Sequence, residues 1–562
     1  MGGTRLPDNL LRKRPDIKRD DDSPLRPQTS SWLRIAVLFT TGTIILGLPA
    51  HFSGSDTFHP RFPLEILWLT LAALLVPRTL YPIFRLATTA CLLLILFLKL
   101  ADIGTDLAFQ RPFNPYLDFK LMLDGWDLLS RSIGRLHAIV LVVASLVVWL
   151  LTGLSLLWSL GGFRTLSRFG TRALGASTVV GLLIGTFMLT APVSMPLSAG
   201  IVTYVTNRAS TIQGSINDLV RFEQELESDP LGDLPFRKHF SYLAGMDVIF
   251  IFIESYGRSA VENPAFASTI QARLREMEQK VSSAGLKARS GWLTSPTVAG
   301  LSWLAHGTLL SGLWTNNQAR YDRMITSHRP SLNALFQRAG WQTVAVMPAI
   351  TREWPESSYF GYDTIRNATG LGYRGKPFNW VTMPDQYTLS AFERLHRGAG
   401  HSPVMAEIAL ISSHAPWTPV PTLVDWTNVA DGRIFDDQAI SGDPPSVVWS
   451  DPDRVRSQYC ASIDYVLQVL SSYIPRFGRN TLFLLLGDHQ PAGLVTGDSA
   501  SRDVPIHIIG PPVLLKRIAH FEWTEGMIPA SDLPSLRMDR LRERFVRAFS
   551  GGRSAKPTQI FP

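Results

Sequence analysis

Residues 247–257 read DVIFIFIESYG, an almost unbroken apolar run that ends in a glutamate. Runs that are apolar on both faces are typical of strands inside a parallel sheet, where helices cover both sides. Similar runs follow at 344–347, 406–411 and 480–486, separated by helix-length segments such as 265–284 and 454–472. We therefore predict an α/β domain, from 235 to 550, with a mainly parallel sheet covered by helices on both faces.

Polar residues follow three of these strands directly. Glu254 comes after the first strand, His414 lies just beyond the third, and Asp488 and His489 follow the fourth. Ligands of such sheets bind at the carboxyl ends of the strands, so these side chains are expected to meet at one edge. Carboxylate and imidazole together suit Zn²⁺ or Mn²⁺. The alternative is that they are ordinary polar loop residues.

A hydroxyl group that can act as a nucleophile lies in residues 295–312, SPTVAGLSWLAHGTLLSG. Small and turn-forming residues precede Ser302, and an apolar helical pattern follows it. A hydroxyl at a helix N-terminus faces unpaired N–H groups that favour bound anions. A nearby divalent cation would lower its pKa further. The alternative for Ser302 is a helix cap.

The first two hundred residues contain five apolar stretches, at 32–50, 64–76, 83–100, 137–159 and 173–195. A helix that crosses a membrane needs about 20 mainly apolar residues, so we predict a transmembrane domain of about five helices over 33–200. The second stretch is short and ends at Pro77, and a buried or re-entrant segment is its alternative. The charged tail at 1–32 is expected to be cytoplasmic and disordered.

The distribution of charge supports this topology. Basic residues crowd the tail and recur without acidic ones at 78–85 and 161–172, whereas 101–135 contains five aspartates. By the positive-inside rule, five crossings leave everything after 195 outside the cytoplasm. The net charge of +8 is spread over these segments, which argues against nucleic acid as a partner. A polar helical linker is expected at 201–234, lying along the membrane surface, and a loose tail at 551–562.

These motifs resemble the lipoteichoic acid synthase and phosphoglycerol transferase branch of the alkaline-phosphatase/sulfatase superfamily. Members combine five N-terminal helices with an extracytoplasmic α/β domain. In the superfamily a nucleophile begins a helix and a small residue followed by Gly comes about ten positions later, as Ser311-Gly312 does after Ser302. The resemblance implies one divalent metal, Mn²⁺ or Zn²⁺ with Mg²⁺ possible.

The resemblance also assigns roles to single residues. It implies Glu254, Ser302, Asp488 and His489 as metal ligands and His414 as a contact to the substrate phosphate. Arg352 and Trp354, which follow the second strand, would bind glycerol phosphate, and Arg suits phosphate because it donates two parallel hydrogen bonds. The alternative for both is an ordinary surface loop. His306 stands where sulfatases keep Arg and would contact the phosphoryl group; a structural hydrogen bond is its alternative. His507 is a weaker candidate for a second metal.

The sequence departs from the family pattern in several places. The synthases use Thr as nucleophile, so Thr297 in its Ser-Pro-Thr turn competes with Ser302. The Cys-x-Pro-Ser-Arg type sequence that yields formylglycine is absent around Ser302, which argues against sulfate-ester hydrolysis. Phosphoethanolamine transferases carry several disulfides in this domain, whereas here Cys460 is alone.

The resemblance implies transfer of a phospholipid head group, best matched by glycerol phosphate from phosphatidylglycerol, to a periplasmic or cell-surface glycan. The enzyme would lie in the bacterial inner membrane with its catalytic domain in the periplasm. A phosphodiesterase, phosphatase or sulfatase-like hydrolase, a phosphoethanolamine transferase, and a non-catalytic membrane scaffold are the alternatives.

Overall fold

The computed structural model describes residues 28–48, 62–109, 111–118, 125–126, 129–130, 134–190, 197–235, 239–497 and 501–551. The predicted tails at 1–32 and 551–562 therefore lie almost wholly outside the described residues. The chain divides into two compact units. The first comprises Met1–Leu48, His59–Phe97 and Leu136–Val202, and the second comprises Pro49–Phe58, Leu98–Arg135 and Thr203–Pro562.

Apolar helices dominate the N-terminal part: α1 Gln28–Gly47, α2 Glu65–Leu75, α3 Tyr81–Phe109, α4 Arg135–Leu160 and α5 Arg168–Thr190. Within the described residues, four of them, all but α2, are long and apolar enough to cross a membrane. Helix α2 has 11 residues, which span about 16 Å. A bilayer core is about 30 Å thick. The prediction of about five crossing helices is therefore corrected to four long helices and the short α2, which ends before Pro77 as its sequence indicated.

Two short strands flank this part of the chain, β1 Phe62–Pro63 and β2 Leu197–Ser198, and they pair in parallel. A separate sheet of nine strands forms the centre of the second unit. Its strands are β3 Asp247–Ile253, β4 Lys287–Thr294, β5 Gln342–Met347, β6 Thr364–Asn367, β7 Val404–Leu410, β8 Thr481–Gly487, β9 Asp503–Gly510, β10 Thr524–Glu525 and β11 Leu536–Arg537.

The strand order is β10-β4-β9-β8-β3-β7-β5-β6, with β11 paired to β4. Strands β8, β3, β7, β5 and β6 are parallel, as predicted. Strand β9 is antiparallel to β8 and β4, and β10 is antiparallel to β4. The sheet is thus mixed rather than mainly parallel. Strand β4 carries polar residues such as Lys287 and Arg289, so it lacks the apolar run that identified the parallel strands.

The second unit also contains the helices α6 Ile201–Glu227, α7 Arg258–Glu262, α8 Pro264–Ser283, α9 Ser302–Ser311, α10 Gln318–Ile325, α11 Leu332–Arg338, α12 Asp385–His396, α13 Pro452–Phe477 and α14 Met538–Phe549. One-turn helices occupy Ser357–Phe360, Asp436–Ala439, Pro445–Val448, Gly493–Thr496 and Pro512–Leu515.

Strand β3 explains why helices cover both faces. Its isoleucines at 249, 251 and 253 belong to one apolar core with side chains of α8 and α13. The alternate positions Val248, Phe250 and Phe252 belong to a second core with side chains of α9, α11 and α14. Because successive side chains of a strand point to opposite faces, a strand apolar at every position requires cover on both sides. The predicted helix-covered α/β architecture is confirmed.

Helix α6 occupies most of the predicted linker at 201–234, but its C-terminal half packs on the α/β domain. Phe222 is fully buried in the core that also contains α9 and α14. Asp218 accepts two hydrogen bonds from Arg320, at 2.8 and 2.6 Å. An apolar side chain and an ion pair therefore attach this half to the domain, and the expected position along a membrane surface stays a prediction.

Candidate metal centre

Three strand ends build the site. Strand β3 lies between β7 and β8, and Ile253 is in register with Leu410 on one side and Gly487 on the other. The loops that follow these strands therefore begin at the same edge of the sheet. The Ser413 hydroxyl donates a hydrogen bond to the carbonyl of Glu254, at 2.6 Å, which joins two of the loops.

Asp488 and His489 are held by backbone hydrogen bonds. Oδ1 of Asp488 accepts from the N–H of Ser255 at 2.8 Å and from the N–H of His489 at 2.7 Å. Nδ1 of His489 is 2.8 Å from the carbonyl of Gln490, so it carries the proton and donates. This contact leaves Nε2 as the metal-binding atom of the ring. It lies 3.3 Å from Glu254 Oε1 and 3.6 Å from Asp488 Oδ2.

Ser302 completes the cluster. It is the first residue of α9, and its Oγ lies 3.2 Å from Oε2 of Glu254 and 3.2 Å from Nε2 of His489. The preceding residue, Leu301, provides no side-chain cap for the helix. Helix N–H groups without a cap remain available to an anion. The structure thus brings together the four residues for which metal binding was predicted, and their roles remain predictions.

The loop before Ser302 has an unusual backbone. Three consecutive residues have positive φ, 60° at Ala299, 145° at Gly300 and 61° at Leu301. Such conformations cost a non-glycine residue about 1–2 kcal/mol each and persist where surrounding contacts enforce them. Here the N–H of Ala299 donates to the carbonyl of Gln490 at 2.8 Å. The strained loop is therefore attached next to His489.

Thr297, the competing nucleophile, lies in the same loop but is engaged elsewhere. Its hydroxyl donates to the carbonyl of Gly300 at 2.7 Å, and the residue is buried. The geometry therefore favours Ser302 as the nucleophile, because Ser302 is the one of the two whose hydroxyl contacts Glu254 and His489.

The donor set fits a divalent cation. Ligand atoms of Glu254, Asp488 and His489 all lie within 4.8 Å of one another. Asp488 and His489 are 2 % and 1 % exposed. In the described part of the chain, no Lys or Arg forms an ion pair with either carboxylate. Buried carboxylates of this kind need a balancing positive charge, which a cation would supply.

The pKa values reflect the same crowding of charge. Burial and the charge of Glu254 raise the pKa of Asp488 to about 6. Burial alone would raise the pKa of Glu254, but the charges of His489 and His414 lower it below its usual range. Burial would lower the pKa of His489, whereas the two carboxylates raise it above its usual value. Without a metal, the cluster therefore retains protons that a cation would displace.

The residues predicted to bind substrate differ in how close they lie to the cluster. His414 is exposed and close enough to lower the pKa of Glu254 through its charge. Trp354 packs against Phe360 and Tyr362, with ring centroids 5.9 Å away in both cases. Arg352 is exposed. Trp354 and Arg352 follow β5, two strands from β3, and their phosphate-binding role stays a prediction.

His306 has a partner that the sequence analysis missed. Its Nδ1 lies 2.5 Å from Oε1 of Glu407, a fully buried residue of β7. The hydroxyl of Tyr362 donates to the other carboxylate oxygen. The available signal was Glu407 itself, the one charged residue in the strand sequence VMAEIAL.

His507 does not belong to the cluster. It is fully buried, with Nε2 3.1 Å from the hydroxyl of Tyr256 and Nδ1 2.8 Å from that of Ser290. Burial lowers the pKa of His507 to about 3. Both ring nitrogens are occupied by hydroxyl groups, so the second-metal role considered for this residue finds no support.

A family model described as "Sulfatase" matches residues 246–509, which contain β3 to β8, most of β9 and the whole cluster. This part of the chain is similar to sulfatases, and we refer to it as the sulfatase-family domain. The superfamily predicted from the motifs is thereby confirmed for the domain. No curated protein matches the chain.

Several solved structures are similar to the sulfatase-family domain. The lipoteichoic acid synthase LtaP from Listeria monocytogenes is 14 % identical over 48 % of this chain and 67 % of its own, with a TM-score of 0.32. The phosphoglycerol transferase GacH from Streptococcus pyogenes, solved with sn-glycerol-1-phosphate, is 11 % identical over 58 % and 91 %, with a TM-score of 0.35. The periplasmic domain of EptC from Escherichia coli, solved with Zn, is 13 % identical over 47 % and 72 %, with a TM-score of 0.31.

Proposed function

We propose that this protein is a membrane-anchored, metal-dependent transferase that moves a phospholipid head group through a covalent intermediate on Ser302. The observation that carries the proposal is the position of the Ser302 hydroxyl, 3.2 Å from both Glu254 and His489 in a buried, metal-capable cluster. A nucleophile beside such a cluster matches phosphoryl or sulfuryl transfer, and the apolar helices of the same chain would keep it at a lipid surface.

The proposed reaction consists of two successive displacements at phosphorus. In the first, a bond forms between Ser302 Oγ and phosphorus, the bond to diacylglycerol breaks, and the serine proton ends on the released alcohol. In the second, an acceptor hydroxyl bonds to phosphorus, the serine bond breaks, and the acceptor's proton returns to Ser302. Glu254 Oε2 orients the serine hydroxyl as its acceptor. A divalent cation held by Glu254, Asp488 and His489 would supply positive charge that lowers the pKa of nearby hydroxyls and offsets phosphate charge.

The transferred group is proposed to be glycerol phosphate from phosphatidylglycerol, and the acceptor a periplasmic or cell-surface glycan. This choice rests on the resemblance of the motifs around Glu254, Ser302 and Asp488 to the phosphoglycerol transferase branch. Hydrolysis, in which water is the acceptor, and phosphoethanolamine transfer would use the same cluster.

The test is to incubate the purified full-length chain with phosphatidylglycerol and Mn²⁺ or Zn²⁺ and to measure intact mass and released diacylglycerol. We expect a glycerol-phosphate adduct together with diacylglycerol, and neither product when EDTA is present. An adduct formed only from phosphatidylethanolamine would mean that the transferred group is phosphoethanolamine and not glycerol phosphate. The absence of both products with every phospholipid would refute the proposal.

We also propose that the sulfatase-family domain lies outside the cytoplasm, which requires α2 to act as a fifth crossing. Contacts at the two ends of α2 support this. At its start, the N–H of Leu64 donates to the carbonyl of Ser198 at 2.9 Å, beyond α5. At its end, Arg164 in the turn after α4 donates to the carbonyl of Val76. The two ends of α2 thus contact residues that flank α5 on either side in the chain, Arg164 before it and Ser198 after it.

The start of α1 lies at the same end as this basic turn, because the hydroxyls of Ser31 and Thr165 are 2.8 Å apart. The loop after α3 is part of the second unit, where Asp102 pairs with Arg208 of α6 at 2.5 Å and Asn114 donates to Ser215 at 2.8 Å. Together with the positive-inside rule, these contacts favour a cytoplasmic N-terminus and an external domain.

Reporter fusions test this topology. We expect β-lactamase fused after Pro562 to protect a bacterial host against ampicillin, because that enzyme acts only outside the cytoplasm. A green fluorescent protein fused at the same position should stay dark when exported through the general secretory route. The opposite pair of results would mean that α2 does not cross and that the domain is cytoplasmic.

A further inference from the structure

Glu407 is a charged residue in an apolar environment. It lies in the middle of β7, next to the central strand β3, and is 0 % exposed. Its neighbours along the strand are apolar, and Ile408 and Ala406 are also buried. Burying a carboxylate in such surroundings is unfavourable unless hydrogen bonds or an opposite charge offset the loss of hydration. The hydrogen-bond partners of Glu407 therefore indicate its role.

Both oxygens of Glu407 are engaged. Oε1 lies 2.5 Å from Nδ1 of His306, and Oε2 accepts a hydrogen bond from the hydroxyl of Tyr362. Burial and the Glu407 charge raise the pKa of Tyr362 well above its usual value, which keeps that hydroxyl protonated as a donor. With a carboxylate as partner, Nδ1 of His306 carries a proton. The carboxylate thus selects the tautomer of the ring.

The ring of His306 is fixed in orientation as well. It stacks on Phe252 of β3, with centroids 3.8 Å apart and planes 18° from parallel. His306 lies four residues after Ser302 in α9, and residues four apart share one face of a helix at a rise of about 6 Å. In the described part of the chain Nε2 has no hydrogen-bond partner, and 13 % of the side chain is exposed. Nε2 is therefore the ring atom left for a substrate.

We infer that Glu407 and Tyr362 are positioning residues that hold His306 with Nε2 directed at the phosphoryl group beside Ser302. The inference rests on the proposed function and adds to it. Nδ1–H donates to Glu407, which leaves Nε2 on the other side of the ring to form a hydrogen bond with an oxygen of the phosphoryl group. The two positioning residues thus fix the direction from which the ring reaches the substrate.

The test is a double-mutant cycle on phosphate binding. Full-length protein loaded with Zn²⁺ is titrated with inorganic phosphate as wild type, His306→Ala, Glu407→Gln and the double variant. We expect His306→Ala to weaken binding about a hundredfold and Glu407→Gln about tenfold or more. The double variant should bind no more weakly than His306→Ala, because Glu407 acts through the ring. Tyr362→Phe, which keeps the aromatic ring, should give a smaller loss than Glu407→Gln.

A spectroscopic readout separates positioning from a merely structural role. The ³¹P resonance of bound phosphate should move in Glu407→Gln toward its position in His306→Ala, because the ring is no longer held in place. Equal losses from Glu407→Gln with and without His306, or wild-type affinity in Glu407→Gln, would overturn the inference. Phosphate binding needs no lipid turnover. A protein that passes this test but forms no adduct would refute only the transfer reaction.

Discussion

Replacing Ser302 with alanine is expected to abolish the covalent adduct with the phospholipid head group and to lower transfer by at least about a thousandfold. The Ser302 hydroxyl contacts both Glu254 and His489. Alanine removes the attacking oxygen but leaves the cluster in place. Metal affinity should therefore fall much less than transfer. Intact-mass measurement after incubation with phosphatidylglycerol, with released diacylglycerol as the rate, gives both quantities.

Two matched variants test whether the loss of the adduct is specific to the Ser302 hydroxyl. Ser302→Thr keeps a hydroxyl at the start of α9 and should still form an adduct, more slowly because the added methyl group occupies space beside the cluster. Thr297→Ala removes the neighbouring hydroxyl, which donates to the carbonyl of Gly300. It should retain the adduct, with a lower rate because the strained loop loses a hydrogen bond. An adduct that survives in Ser302→Ala and disappears in Thr297→Ala would transfer the nucleophile role to Thr297.

The cluster could be predicted because each of its residues follows a local signal. Glu254, Asp488 and His489 come directly after apolar strands, and parallel strands of this type end at a common edge. The choice between Ser302 and Thr297 could not be made from the sequence, because both hydroxyls lie in one loop. The structure distinguishes them by their hydrogen-bond partners, which are the carbonyl of Gly300 for Thr297 and the side chains of Glu254 and His489 for Ser302.

Features that depend on contacts between distant residues were missed. Glu407 and His306 are 101 positions apart, and nothing local links them. The antiparallel part of the sheet was missed for a different reason, because β4 is polar at several positions and gives no apolar run. The shortness of α2 could be predicted, because the apolar stretch at 64–76 ends at Pro77 and matches Glu65–Leu75 to within one residue at each end.

Replacing Asp488 with asparagine is expected to lower affinity for Zn²⁺ or Mn²⁺ by at least about a hundredfold. Oδ1 of Asp488 accepts from the N–H groups of Ser255 and His489, so an amide must keep its oxygen there. Its NH₂ group then faces the position of the cation and repels it. Metal titration of the full-length chain measures the loss. The matched control is Asp503→Asn, because the carboxylate of Asp503 pairs with Arg258 outside the cluster. This variant should bind metal normally.

The same variant should have the opposite effect on the metal-free protein. The pKa of Asp488 is raised to about 6 by burial and by Glu254, whereas an unfolded Asp titrates near about 3.9. Ionising Asp488 therefore costs folded-state stability as the pH rises from about 4 through 6, and asparagine avoids that cost. Without metal, Asp488→Asn should melt above wild type at pH 8 and close to it at pH 4. With Zn²⁺ at pH 8, wild type should melt higher, because binding stabilises only the protein that retains the ligand. If Asp488→Asn melts above wild type at pH 8 with Zn²⁺ as well as without it, Asp488 is not a metal ligand.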